Sequence, residues 1–169
     1  RPKSIGSSIL LLQKSTNNAE LTKSAITITS FMAAILQREN KAKRDVSLII
    51  APEIDTVITN EVALETVLTN LVSNALHYSP ANSQVNIWVN FDSNQERVKF
   101  RIENTSIYQY TEQELGQFFE PLWQKDQSRT SSQRYGLGLA IVKSYCEKIN
   151  AEIRINLTSK NQLSFTIIV

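Results

Sequence analysis

The stretch from Asn70 to Pro80 reads "NLVSNALHYSP" and poses a physical problem: it is apolar at helical spacing, yet it carries two asparagines four residues apart. Asparagine is a mediocre helix former and is costly to bury without partners. At i and i+4, Asn70 and Asn74 share one helix face. Their amide oxygens therefore serve either a capping arrangement or a common ligand. His77 and Tyr78 follow one turn later, either as ligand-facing residues or as packed ones. Ser79-Pro80 then ends the helix, because proline cannot continue it.

Upstream, Val62, Leu64, Val67, Leu68, Leu71, Val72 and Leu76 extend the apolar face and predict a helix from Glu61 to Tyr78. Ile28, Phe31, Met32, Ile35 and Leu36 predict another, amphipathic, from Leu21 to about Glu39. Between them "DVSLII" and "TVIT" are β-branched strands flanking the turn-like "APEID". Downstream, Val85, Ile87, Val89 and Phe91 alternate with polar residues, as do Val98, Phe100 and Ile102 across the turn "DSNQE", which predicts a hairpin. "TEQEL" opens a short helix with a capping-box pattern, Thr111 and Glu114. A polar, aperiodic loop runs from Leu122 to Arg134, a helix is entered through the glycines of "GLGLAIVKSYCEKIN", and "EIRINL" and "LSFTIIV" close the chain as strands. The order predicts an α/β fold with helices on one face of a mixed sheet.

The chain has 169 residues, 41% of them apolar and 20% charged, which predicts one soluble globular domain. A formal net charge of +2 nominates neither nucleic acid nor a membrane surface. Cys146 is the one cysteine, so an internal disulfide and multi-cysteine metal sites are excluded, and a cytoplasmic setting fits. No apolar run reaches the roughly 18 to 20 residues of a membrane span. The chain opens on Arg1 with "RPKSIGSSILLLQKS", which reads as a fragment of a longer protein; residues 1–20 are expected to be a linker or the end of an upstream helix, and 21–169 the domain proper.

Two motifs carry chemistry. The asparagine pair suits Mg²⁺, which keeps octahedral geometry, uses few protein oxygens and takes its other ligands from water and substrate phosphates. The plainer alternative is one asparagine capping a strand and the other facing solvent, and spacing alone leaves both open. In "YGLGLAI", Gly136 and Gly138 precede an apolar helix, so backbone amides there can approach phosphate oxygens with the helix dipole behind them. Tight helix entry or close packing explains the glycines equally well. Lys125, Arg129 and Arg134 in the preceding loop are cations within reach of a polyphosphate, or simply a solvated loop face.

Taken in order and spacing, "NLVSNALHYSP", "IENTS", "FFEPLWQKDQSR" and "GLGLAIVKSYCEK" resemble the N, G1, F and G2 boxes of the ATP-binding catalytic domain of sensor histidine kinases, a branch of the ATPase group that includes gyrase, the ninety-kilodalton heat-shock chaperones and MutL. The resemblance covers roughly Leu21 to Val169. It implies a two-layer α/β sandwich, the Bergerat ATP-binding fold, with a mixed β-sheet packed against three helices. It implies ATP and Mg²⁺ as ligands, with Asn74 ligating the metal and Asn70 assisting as the catalytic pair. His77 stands where the family often has a phosphate-facing lysine, and Tyr78 would pack near the adenine. Asn104, Ser106 and Ile107 would line the base. Lys125, Arg129, Arg134, Tyr135, Gly136, Leu137, Gly138 and Leu139 would belong to the lid and phosphate side, with Phe119 and Trp123 at the base of the lid. The implied partners are a dimerisation domain carrying the phosphoacceptor histidine and, downstream, a response regulator; no nucleic acid is implied, and the isolated domain is expected to be monomeric. The implied location is the cytoplasmic portion of a membrane-bound sensor.

The departures are specific. The usual DxGxG of the G1 box reads Asn104, Thr105, Ser106, Ile107, Tyr108. An amide at 104 still accepts from the adenine amino group but loses the charge-assisted part of that bond. Two rival readings follow: a pseudo-kinase or protein-interaction module that no longer holds nucleotide, and an ATP-hydrolysing machine of the gyrase or MutL kind. The latter relatives carry a glutamate base where this chain has Asn70.

Overall fold

The computed structural model describes residues 21–120, 133–159 and 161–169, and within 133–137 the backbone only. The elements in chain order are β1 (Ser24–Thr27), α1 (Ile28–Glu39), β2 (Val46–Ile50), β3 (Thr56–Thr59), α2 (Glu61–His77), β4 (Val85–Asp92), β5 (Arg97–Thr105), α3 (Glu112–Leu115), α4 (Gln133–Lys148), β6 (Glu152–Ser159) and β7 (Gln162–Ile168). Five strands form a mixed sheet in the order β2-β4-β5-β7-β6, parallel between β2 and β4 and antiparallel elsewhere. β1 and β3 form a separate antiparallel pair.

The period-2 pattern decides which sheet face is covered. Val85, Ile87 and Val89 lie opposite Ile102, Phe100 and their neighbours on β5, then Phe165 and Ile167 on β7, in one buried layer. Against that layer pack Ile28, Met32 and Ile35 of α1, Leu64, Val67, Leu68, Leu71 and Val72 of α2, and Val142 and Cys146 of α4. The result is the expected two-layer α/β sandwich, a mixed sheet against three helices, with α3 a single capped turn.

Two elements differ from expectation. Residues 24–27 do not begin the first helix: Ser24–Thr27 pair with Thr56–Thr59, and the helix starts only at Ile28, whose N–H donates to the Asp55 carbonyl at 2.9 Å. The alternating Ala25 and Ile26 satisfy a strand as well as a helix, and the partner strand is distant in sequence. The last long helix starts at Gln133, so Gly136 and Gly138 lie inside α4 rather than ahead of it.

The helix bearing the asparagine pair is fixed at both ends. Asn60 caps its N-terminus, its side-chain oxygen accepting from Ala63 N at 2.9 Å while its amide donates to the Thr22 carbonyl at 2.7 Å. Glu61 adds an acidic group to the first turn, where the helix dipole favours it. At the other end Tyr78 N donates back to Asn74 O at 2.9 Å before Pro80 turns the chain away. Thr111 and Glu114 form the predicted reciprocal capping box on α3.

Candidate nucleotide site

α2 and α4 lie side by side, and where they meet Asn70 faces Gly138. A Cβ built on Gly138 would stand 2.8 Å from the Asn70 side-chain oxygen, closer than any carbon and oxygen normally approach. The glycine inside α4 is thus a packing requirement: it lets the helix come against the amide of Asn70, whose nitrogen is held by the Thr66 carbonyl at 2.7 Å. The asparagine pair's helix and the glycine motif are brought together by this contact.

One turn on, Asn74 is 6% exposed, and its side-chain oxygen is buried with no hydrogen-bond donor among the described residues. A buried amide oxygen left unpaired costs about 1–3 kcal/mol. The plainer reading of the pair, with one asparagine capping a strand, leaves this oxygen unexplained, whereas a cation satisfies it.

Next to the helix end runs a file of aromatic rings. His77 and Tyr78 pack edge to face with centroids 4.7 Å apart, Tyr78 lies 6.2 Å from Tyr108, Tyr108 6.1 Å from Tyr110, and Tyr110 4.8 Å from Phe118, which reaches Phe165 of the sheet at 6.2 Å. Tyr110 and Phe118 were not among the residues nominated from sequence, although aromatics two apart at 108 and 110 are a visible signal. Burial, reinforced by Tyr78 and Tyr108, pushes the Tyr110 hydroxyl well above the ordinary tyrosine range, against the lowering effect of its hydrogen bond to Ser106.

Asn104, at 2% exposure, is the penultimate residue of β5, and its side-chain nitrogen donates to the Thr105 carbonyl at 2.9 Å. The segment that follows is tied on both sides: Ser106 N donates to Asn161 O at 2.7 Å and Ile107 N to Tyr78 O at 2.9 Å. The buried Ser106 hydroxyl accepts from Tyr108 N at 3.0 Å. None of residues 104–108 adopts a positive φ, so Ser106 and Tyr108 are accommodated without backbone strain where glycines were expected.

Asn70, Asn74, His77 and Tyr78 stand along the C-terminal half and end of α2, and the Asn104–Ile107 segment is tied to them through the Ile107 N to Tyr78 O bond. Gly138 joins them, and Leu139 packs on the core. Trp123, Lys125 and Arg129 lie outside the described residues, as do the side chains of Arg134, Tyr135 and Leu137; of these and Gly136, the backbone places residues 134–137 in the first turns of α4. Phe119 is half-buried beyond α3.

The chain is similar in sequence and fold to proteins of known family. Sensor histidine kinase YcbM of Bacillus subtilis (strain 168) is 30% identical over 109 residues, 64% of this chain and 34% of that protein. Sensor protein kinase WalK of Staphylococcus haemolyticus is 27% identical over 152 residues, 88% of this chain and 25% of that protein. The chain thus spans about a quarter to a third of the length of these relatives. Among solved structures, the Acinetobacter baumannii histidine kinase AdeS superposes with a TM-score of 0.76 at 21% identity, covering 98% of this chain and 76% of that one. ShkA, solved full-length in complex with AMPPNP, gives a TM-score of 0.80 at 17% identity over 96% of this chain and 34% of that one. These structural likenesses bear on the fold. The sequence profile of the family described as "Histidine kinase-, DNA gyrase B-, and HSP90-like ATPase" matches residues 59–169, from the end of β3 through the asparagine pair, the Asn104 turn and Gly138 to the C-terminus, and this chain belongs to that family.

Proposed function

We propose that this chain is the ATP-binding catalytic domain of a sensor histidine kinase, holding Mg-ATP and presenting its γ-phosphate to a histidine on a dimerisation domain. The observation that carries the reading is the Asn70–Asn74 face: one amide locked against Gly138, the other with a buried oxygen that has no donor among the described residues. Two amide oxygens are a fitting donor set for Mg²⁺, which needs only one or two protein ligands when phosphates and waters supply the rest. When bound, the metal would neutralise charge on the phosphates. Asn74 would ligate it and Asn70 would assist.

The chain's own residues do the rest by positioning, the main protein contribution to phosphoryl transfer. Asn104 would accept from the base amino group, and Tyr78 and Tyr108 would pack beside the base. His77 would face the phosphates. Lys125 and Arg129 would add charge from the segment before α4, and Arg134 from its first turn. Hydrolysis is not what this face is built for, because the amide of Asn70 cannot take a proton from water. His77, the one histidine of the chain, belongs to the site itself, so the acceptor histidine comes from a separate dimerisation domain. A response regulator downstream and attachment to a membrane sensor complete the proposal. No helix among the described residues is long and apolar enough to cross a membrane.

The test is phosphotransfer. Incubated with γ-labelled ATP alone, the chain should acquire no label; with a dimerisation domain supplied in trans, acid-labile phosphate should appear on that domain. Label on this chain would contradict the role given to His77. Nucleotide binding without transfer to any supplied acceptor would contradict the kinase reading.

A further inference from the structure

Arg44 lies outside every motif read above, in the connection between α1 and β2, yet it is among the most heavily engaged polar side chains of the molecule. Its Nη1 donates to the Leu76 carbonyl at 2.6 Å, and its Nη2 donates to Ser79 Oγ at 2.8 Å and to the Pro80 carbonyl at 2.7 Å. All three acceptors sit at the C-terminal end of α2, where helix carbonyls lack intrahelical partners and the dipole favours a cation. Among the described residues no carboxylate pairs with this guanidinium. Its Nε is buried without a partner among the described residues.

The chain invests local structure in delivering this group. Asn40, just past α1, brackets the Arg44 backbone: its amide nitrogen donates to Arg44 O at 2.9 Å and its oxygen accepts from Arg44 N at 2.8 Å. The intervening turn closes through Lys43, which adopts a left-handed φ of 53°. A side chain left to solvent needs none of this.

What Arg44 holds is the last turn of the helix that carries Asn74, His77 and Tyr78. Leu76 O and Ser79 flank Tyr78, whose own carbonyl accepts the N–H of Ile107. The clamp is therefore continuous with the Asn104–Tyr108 segment on the far side of the site. We propose that Arg44 is a positioning residue for nucleotide binding: by capping α2 it fixes the angle and register of the Asn74–Tyr78 turn, and through Tyr78 the segment that would receive the base. This inference rests on the nucleotide-binding reading above.

Three variants test it: Arg44→Met keeps the length and removes charge and donors, Arg44→Lys restores a cation, and Ser79→Ala removes one acceptor. In amide hydrogen exchange, Arg44→Met should lose at least tenfold protection at Tyr78 and Ile107 while β6 and β7 stay within about twofold of wild type. Uniform loss across the chain would show a merely structural role and overturn the proposal. In calorimetry well below the melting temperature, Arg44→Met should weaken Mg-ATP about tenfold, Arg44→Lys should recover most of that, and Ser79→Ala should lie between. If folded Arg44→Met binds Mg-ATP as wild type does, the proposal fails. Should Arg44→Met not fold, the ordering of wild type, Arg44→Lys and Ser79→Ala in both readouts decides, and equal values for all three overturn it. A wild-type chain that binds no nucleotide would defeat the functional reading instead, and the exchange pattern would still accept or reject the clamp.

Discussion

Gly138→Ala isolates the contact on which the site depends. In an exposed helix the change stabilises by about 0.5–1 kcal/mol, because alanine has less backbone freedom to lose. Here the new methyl would stand 2.8 Å from Asn70 Oδ1, and a carbon and an oxygen in ordinary contact stay about 3.3 Å or more apart. Roughly half an ångström must be found. Asn70 can yield by swinging its amide, which breaks the 2.7 Å bond to Thr66 O and costs about 0.5–1.5 kcal/mol. Otherwise α4 must lift from α2, an overpacking cost of about 1–3 kcal/mol. The propensity gain is thus cancelled or exceeded, and urea denaturation should show a stability between unchanged and about 2 kcal/mol lower. Nucleotide binding should suffer more than stability, since either response turns the amide face away from its geometry; a tenfold or greater rise in the Mg-ATP Kd is expected, about 1.4 kcal/mol. Repeating the change in an Asn70→Ala background removes the obstacle, so there Gly138→Ala should stabilise by its helix-propensity amount. If Gly138→Ala in the otherwise unaltered chain raises stability and leaves the Kd unchanged, the Asn70–Gly138 contact is not what shapes the site.

Other expectations are narrower. Asn74→Ala should abolish most of the Mg²⁺-dependent part of ATP affinity in calorimetry while leaving the fold intact, because the oxygen it removes has no partner among the described residues. Asn104→Leu should weaken ATP but leave binding of inorganic triphosphate nearly unchanged, whereas Asn104→Asp should keep or tighten ATP; equal ATP affinity in the leucine variant would show that the base is recognised elsewhere. Phe100→Ala, at a fully buried position of the sheet, should cost about 3–5 kcal/mol in denaturant titration. Burial pushes the Cys146 thiol up to about 12, so it should resist thiol reagents in the native state and react only as the chain unfolds. The same shift predicts that its contribution to stability is complete below pH ~8.5, where an unfolded thiol is still protonated, and falls as the pH rises toward 12; stability to urea measured across that range in wild type and Cys146→Ala should converge.

Local pattern carried much of this fold. The broad apolar face of α2, the alternation of β4 and β5 and the Thr111–Glu114 capping box each lie within one short window, and each element appears where its pattern put it. What the pattern did not contain is pairing over distance. Ala25 and Ile26 fit either a helix or a strand, and only β3, across the whole of α1, decides between them. Gly138 carried no local sign that its missing Cβ makes room for Asn70. Arg44 sits in the run "KAKR", which reads as a solvated charge cluster, because nothing in its neighbourhood reveals that its partners are carbonyls at the end of another helix. The candidate residues were nominated by type, spacing and family resemblance; the contacts that hold them in place belong to tertiary structure.

The proposed function requires this face to bind adenine nucleotide through a metal held by asparagine amides. Calorimetric titration of ATP into the chain, once with Mg²⁺ and once with a chelator present, tests it most directly. Saturable binding in Mg²⁺ and a loss of at least tenfold in affinity without it are expected. Absence of binding under both conditions would rule out that function and leave a family member that works through protein contacts alone.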